Sequence, residues 1–124
     1  MDDEARLLAE VEDEARLLAE VEDEARRIVD RLTSIALDRV APVCEHVRAA
    51  AQAIVDLTKP LDDSVPAAAT VPAVGPAAAG WQVAVVVRDF VRAARAASVA
   101  GGAMTATPLA RARETLVHLR RELP

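Results

Sequence analysis

Residues 2 to 26 read DDEARLLAEVEDEARLLAEVEDEAR, a ten-residue unit written twice and begun a third time. Alternate steps of three and four through this stretch and beyond it land on Glu4, Leu7, Val11, Glu14, Leu18, Val21, Ala25, Ile28, Leu32 and Ile35. Only the two glutamates interrupt the apolar stripe, so the spacing predicts an amphipathic helix. A neighbouring line through Leu8, Val11, Ala15, Leu18, Glu22, Ala25, Val29, Leu32 and Ala36 widens the face beyond the narrow seam of a two-stranded zipper. On the outer side, Asp2 and Arg6, Glu12 and Arg16, Glu22 and Arg26, and Asp23 and Arg27 stand four apart with the acid first. That order supports a helix by a few tenths of a kcal/mol per pair.

A ten-residue period does not fit an ideal helix. Ten residues at about 100° each make roughly 1000°, some 80° short of three turns, so every added unit swings the apolar face around the axis. The repeat is therefore expected to be a duplicated segment at a projecting or loosely packed end, with the tightly specified part of the helix beginning near Ala25. The competing expectation is that the wide face absorbs the rotation inside an ordinary bundle.

Past Ile35 the stripe continues through Ala36, Val40, Val43, Val47, Ala50, Ile54, Leu57 and Leu61. The pattern predicts one acidic, coiled-coil-like element over residues 1–59, kinked near Pro42 because proline removes a helical hydrogen bond. Residues 60–80, with four prolines and two glycines, read as an extended Pro/Ala-rich linker. Residues 81–124 read as a basic helical hairpin. Its first helix steps Val83, Val87, Phe90, Ala94 and Ala97 and stops at Gly101 and Gly102. The second is capped by Thr107, opened by Pro108, and steps Leu109, Ala112, Leu116, Leu119 and Leu123. The segment WQVAVVV alone has the β-branched content of a strand, but no second strand candidate exists to pair with it.

With 124 residues the chain suits one domain, or a small domain plus an extended element. One Trp, one Phe and no Tyr leave its core to Leu, Val, Ile and Ala, which suits closely packed helices. Charge is divided unevenly. Residues 1–63 hold 17 acidic and 8 basic side chains, net −9, and residues 64–124 hold 3 and 7, net +4, which together give the overall −5. The basic part is thus able to fold onto the acidic part or to pair head to tail with another copy.

Cys44 is the only cysteine, so no disulfide within the chain and no thiolate-clustered zinc site can be written. Cys44 and His46 point about 200° apart on a helix and do not share an ion or form a nucleophilic pair. Glu114 and His118, four apart, read as a solvated face. No glycine-rich phosphate loop is present. Neither a metal, nor a cofactor, nor a catalytic group is expected. The acidic start MDDEAR does not read as an export signal, and no apolar run spans a bilayer. A cytoplasmic setting follows as the expectation, and fourteen Arg against one Lys suggests a high-GC bacterial coding bias.

Together these features predict an all-α chain that forms an oligomeric helical bundle, most simply a homodimer, and serves as a non-enzymatic oligomerisation and adaptor module. The expected self-association seam is Leu18, Val21, Ala25, Ile28, Leu32, Ile35, Val43, Val47 and Ile54. Arg88, Arg92, Arg95, Arg111, Arg120 and Arg121 form the candidate partner face, suited to an acidic protein surface and less well to nucleic acid, since the chain is net acidic. Trp81 is a candidate partner anchor. A nucleic-acid-binding regulator and a metal-binding helical protein are the alternatives from other classes.

Overall fold

Asp2 starts the first helix: its Oδ1 accepts from the Glu4 backbone N–H at 3.2 Å, and Asp3 and Glu4 place negative charge at the positive end of the helix dipole. In the computed structural model, which describes residues 2–100 and 105–124, this helix, α1, runs Asp3–Ser34. A one-turn helix α2 (Leu37–Val40) and a 3₁₀ turn at Ala41–Val43 follow, then α3 (Cys44–Thr58), α4 (Ala79–Val99) and α5 (Ala106–Glu122). No strand occurs among the described residues, and WQVAVVV is helical throughout.

The single bent element expected over residues 1–59 is not what forms. Ile35 and Ala36 are fully extended, and the chain breaks there, several residues before Pro42. Thr33 Oγ1 donates to the Val29 carbonyl at 2.8 Å and Ser34 Oγ to the Arg31 carbonyl at 3.1 Å, so both hydroxyls bond back onto the closing turns of α1. Pro42 then sits at the start of the 3₁₀ turn, where its missing N–H costs nothing. The break turns three expected helices into four principal ones, so α3 runs back antiparallel to α1.

Cross-helix contacts fix the arrangement. Arg95 reaches Glu22 and Ser98 reaches Glu14, so α4 is antiparallel to α1. Arg113 reaches Glu20, Arg120 reaches Glu24 and the Pro124 carbonyl accepts from Arg31, so α5 runs parallel to α1. Both α4 and α5 pack along α1 and along α3. They therefore fill opposite corners of a four-helix bundle, with α1 and α3 at the other two, and are not the side-by-side hairpin the sequence suggested. Val21, Ala25, Ile28 and Leu32 from α1, Val47 and Ile54 from α3, Val83, Val87 and Phe90 from α4, and Leu109, Leu116 and Leu119 from α5 meet in one core. At Gly80 α4 runs close to α1, with room for a side-chain carbon: a Cβ there would lie at ordinary contact distance, 3.4 Å from Thr33 Cγ2 and 3.6 Å from Leu32 Cβ.

Because α3 and α4 run in the same direction, the connection between them must climb back along the bundle. Its roughly 14 residues, extended at about 3 Å each, exceed the roughly 27 Å of the helical segment they retrace. Asp62 opens the turn by accepting from Ser64 N–H and Oγ, contacts that hold its carboxyl below the usual range. Farther along, Gln52 takes the place of a neighbouring strand. Its Nε2 donates to the Ala69 carbonyl at 3.2 Å and its Oε1 accepts from Val71 N–H at 2.7 Å, while Val71 itself is buried. Gln82 Nε2 adds a bond to the Pro72 carbonyl at 2.7 Å. The segment is thus a strap fastened to the bundle and not a free tether.

The last helix starts at Ala106, with Thr105 before it making no side-chain cap, and Thr107 lies inside the first turn. The expected Thr107 cap is therefore misplaced. Gly101 and Gly102, the expected stop of α4, lie outside the described residues.

Candidate functional site

Most of the expected seam is consumed inside the chain. Val21, Ala25, Ile28, Leu32, Val47 and Ile54 are core residues, Leu18 and Ile35 pack partly buried against that core, and Val43 is half-buried. Three helices of unequal length would leave this apolar surface for a second chain to cover. With the extra helix made by the break at Ile35, one chain covers it.

What remains uncovered is the start of α1. Residues 2–13 are all exposed, and Leu7, Leu8 and Val11 stand 61%, 59% and 62% accessible. The equivalent positions of the next repeat, Leu17, Leu18 and Val21, meet the core. One unit of the repeat thus extends about 15 Å beyond the point where neighbours begin, at 1.5 Å per residue. Seven carboxylates between Asp2 and Glu14, against Arg6 alone, surround the Leu7, Leu8 and Val11 stripe. Of the ion pairs expected along α1, Asp23 with Arg27 forms at 3.2 Å, whereas Arg6, Arg16 and Arg26 turn toward the acid three residues before them.

The six arginines of the expected partner face do not form one surface. Arg88, Arg92 and Arg95 line a groove of about 550 Å³ between α1 and α4, where Arg26 joins them from α1 above Ala25, Val29 and Val87. Arg95 pairs with Glu22 at 2.9 Å and Arg88 lies 3.8 Å from Asp89, while Arg92 has no ion pair among the described residues. Arg120 is on the other side of α1, its Nε 2.5 Å from Glu24 Oε2, a contact that raises its pKa further. Arg111 and Arg121 are exposed on α5. Trp81, 70% exposed at the start of α4, edges an apolar groove beneath the strap with Val71, Val74 and Val85.

Cys44 packs partly buried against the core. The two histidines of the chain meet instead at Glu122. His46 Nδ1 lies 2.8 Å from its Oε2 and His118 Nε2 lies 2.9 Å from its Oε1. The His46 hydrogen bond above all, with the charge of both imidazoles, holds the Glu122 carboxyl below its ordinary value. His118 and Glu122 stand four apart on α5, but spacing along the chain gave no sign of His46, which comes from a helix at an adjacent corner. Among the described residues, no group of three potential ligands is placed to hold a metal ion, and no helix is long and apolar enough to cross a membrane. No protein-family model, curated protein or solved structure matches the chain.

Proposed function

We propose that this chain is a non-enzymatic helical module that self-associates, and thereby assembles proteins, through the projecting first turns of α1. One observation carries the reading: Leu7, Leu8 and Val11 are about 60% exposed on a helix that leaves an otherwise closed bundle. Adjacent large apolar side chains exposed on a rigid helix lose hydration cost when covered, and a helix face of this kind is a common element of protein recognition. Burying Leu7, Leu8 and Val11 is worth about 1.5–3 kcal/mol per side chain before the costs of association.

The nucleic-acid reading draws less support, because Arg95 and Arg120 are engaged by carboxylates of α1 and the remaining arginines point from different corners of the bundle. A cytoplasmic assembly or adaptor role accords with the acidic, single-cysteine sequence. The test is light scattering across concentration for the chain and for a Leu7→Asp/Val11→Asp variant. Self-association lost in the variant supports the reading; a wild-type monomer at every concentration removes it.

A further inference from the structure

We propose that the occupant of the arginine-lined groove between α1 and α4 is the projecting arm of a second copy of this chain, exchanged reciprocally across a two-fold axis. This rests on the self-association reading above and names the surface that receives the arm.

The groove and the arm share one face of α1. Successive steps through Leu8, Val11, Ala15, Leu18, Glu22, Ala25 and Val29 are three or four residues, so at about 100° per residue they fall on one line along the helix. Leu8 and Val11 form the exposed arm, and Ala25 and Val29 form the floor of the groove. Leu18 lies midway. Two copies of α1 laid antiparallel on this face, with the two-fold axis near Leu18, place each arm over the other's groove in a single operation. The contact closes on itself as an isologous dimer and leaves no free end to propagate.

Charge selects this pairing over arm against arm. Residues 2–14 carry seven carboxylates and one arginine, so two arms side by side repel. The groove instead presents Arg26, Arg88, Arg92 and Arg95 around an apolar floor, with Glu22 already paired to Arg95. An acidic helix with a Leu/Val stripe meets there both an apolar surface and a rim of opposite sign. The symmetric register brings Glu12 toward the partner's Arg26, and Glu4 toward the end of the groove nearest the partner's Arg88.

The repeat acquires a role in this arrangement. Its 80° swing carries Leu8 and Val11 away from the core direction used by Val21, Ile28 and Leu32, toward the side of α1 on which the groove opens.

Charge reversal with light scattering tests the proposal, with circular dichroism confirming that each variant remains helical. The Arg88→Glu/Arg92→Glu variant and the Glu4→Arg/Glu12→Arg variant should each dimerise at least tenfold more weakly than the wild-type chain. Mixed one to one they should recover dimer, because each arm then faces a groove of opposite charge. A wild-type dimer that persists in the groove variant, yet is lost in Leu7→Asp/Val11→Asp, overturns the groove as receptor and leaves arm-mediated self-association standing. Two weakened variants that fail to recover on mixing also overturn it. A wild-type monomer overturns both readings together.

Discussion

Val11 and Val21 hold the same place in successive copies of one ten-residue unit, yet Val11 is 62% exposed and Val21 is completely buried. Identical local sequence has been given two environments by the position at which α4 and α5 meet α1. Val21→Ala should therefore lower stability by about 2 kcal/mol through lost burial and a residual cavity. Val11→Ala should stay within about 0.5 kcal/mol of wild type under conditions where the chain is monomeric. Urea unfolding followed by circular dichroism reads both values.

Gln52 fastens the strap by imitating a backbone neighbour for Ala69 and Val71. Gln52→Ala leaves the Val71 N–H without its partner and should cost about 1–2 kcal/mol. Hydrogen exchange at the Val71 amide should accelerate far more than exchange in the middle of α3. Equal acceleration everywhere would mean that the strap and the bundle open as one unit.

The centre of the bundle depends on Phe90, the largest fully buried side chain in the chain and the only phenylalanine. Phe90→Ala should cost about 3–5 kcal/mol, a large share of the stability of a domain this size. By contrast, Gly80→Ala puts a methyl at ordinary contact distance from Thr33 and Leu32 and removes a helix-interior glycine. Its expected effect runs from neutral to a gain of about 1 kcal/mol. Thermal unfolding of the two variants checks the pair.

Acid should weaken the α3–α5 contact in a defined direction. Glu122 has its folded pKa depressed below about 4.5, principally by the His46 hydrogen bond, with Glu45 and Glu114 also lining that groove. A depressed carboxyl contributes stability that is present above its unfolded pKa and is lost as pH falls through the folded value. The melting temperature of the wild-type chain should exceed that of Glu122→Gln at around pH 6, and the difference should shrink as the solution is acidified below about pH 4.5. A difference that is constant over this range would show that the Glu122 charge contributes nothing there.

The helices were legible because their apolar steps are local: the stripes through Val21, Ala25, Ile28 and Leu32 and through Leu109, Ala112, Leu116 and Leu119 do line the core. That one end projects was legible too, from the arithmetic of a ten-residue period, but its extent was not: the core begins with Leu17, Leu18 and Val21 in the second unit and not near Ala25. The break at Ile35 was not, because the apolar stripe runs through Ile35 and Ala36 without a fault, whereas Pro42 is the only helix-breaking residue between Leu32 and Thr58. Missing that break hid the fourth helix, and with it the partner that covers Val47 and Ile54. The clasp made by Gln52 and the meeting of His46 and His118 at Glu122 depend on which corners the helices occupy, and no periodicity along the chain encodes that choice.

The most direct test of the central claim is the mass of the intact chain in solution, measured by light scattering behind size exclusion over a wide concentration range. Concentration-dependent conversion of the 13.2 kDa chain to a species of about twice that mass, abolished in a folded Leu7→Asp/Val11→Asp variant, is the predicted result. A single 13.2 kDa species at every concentration, or a dimer indifferent to the two aspartates, would contradict it.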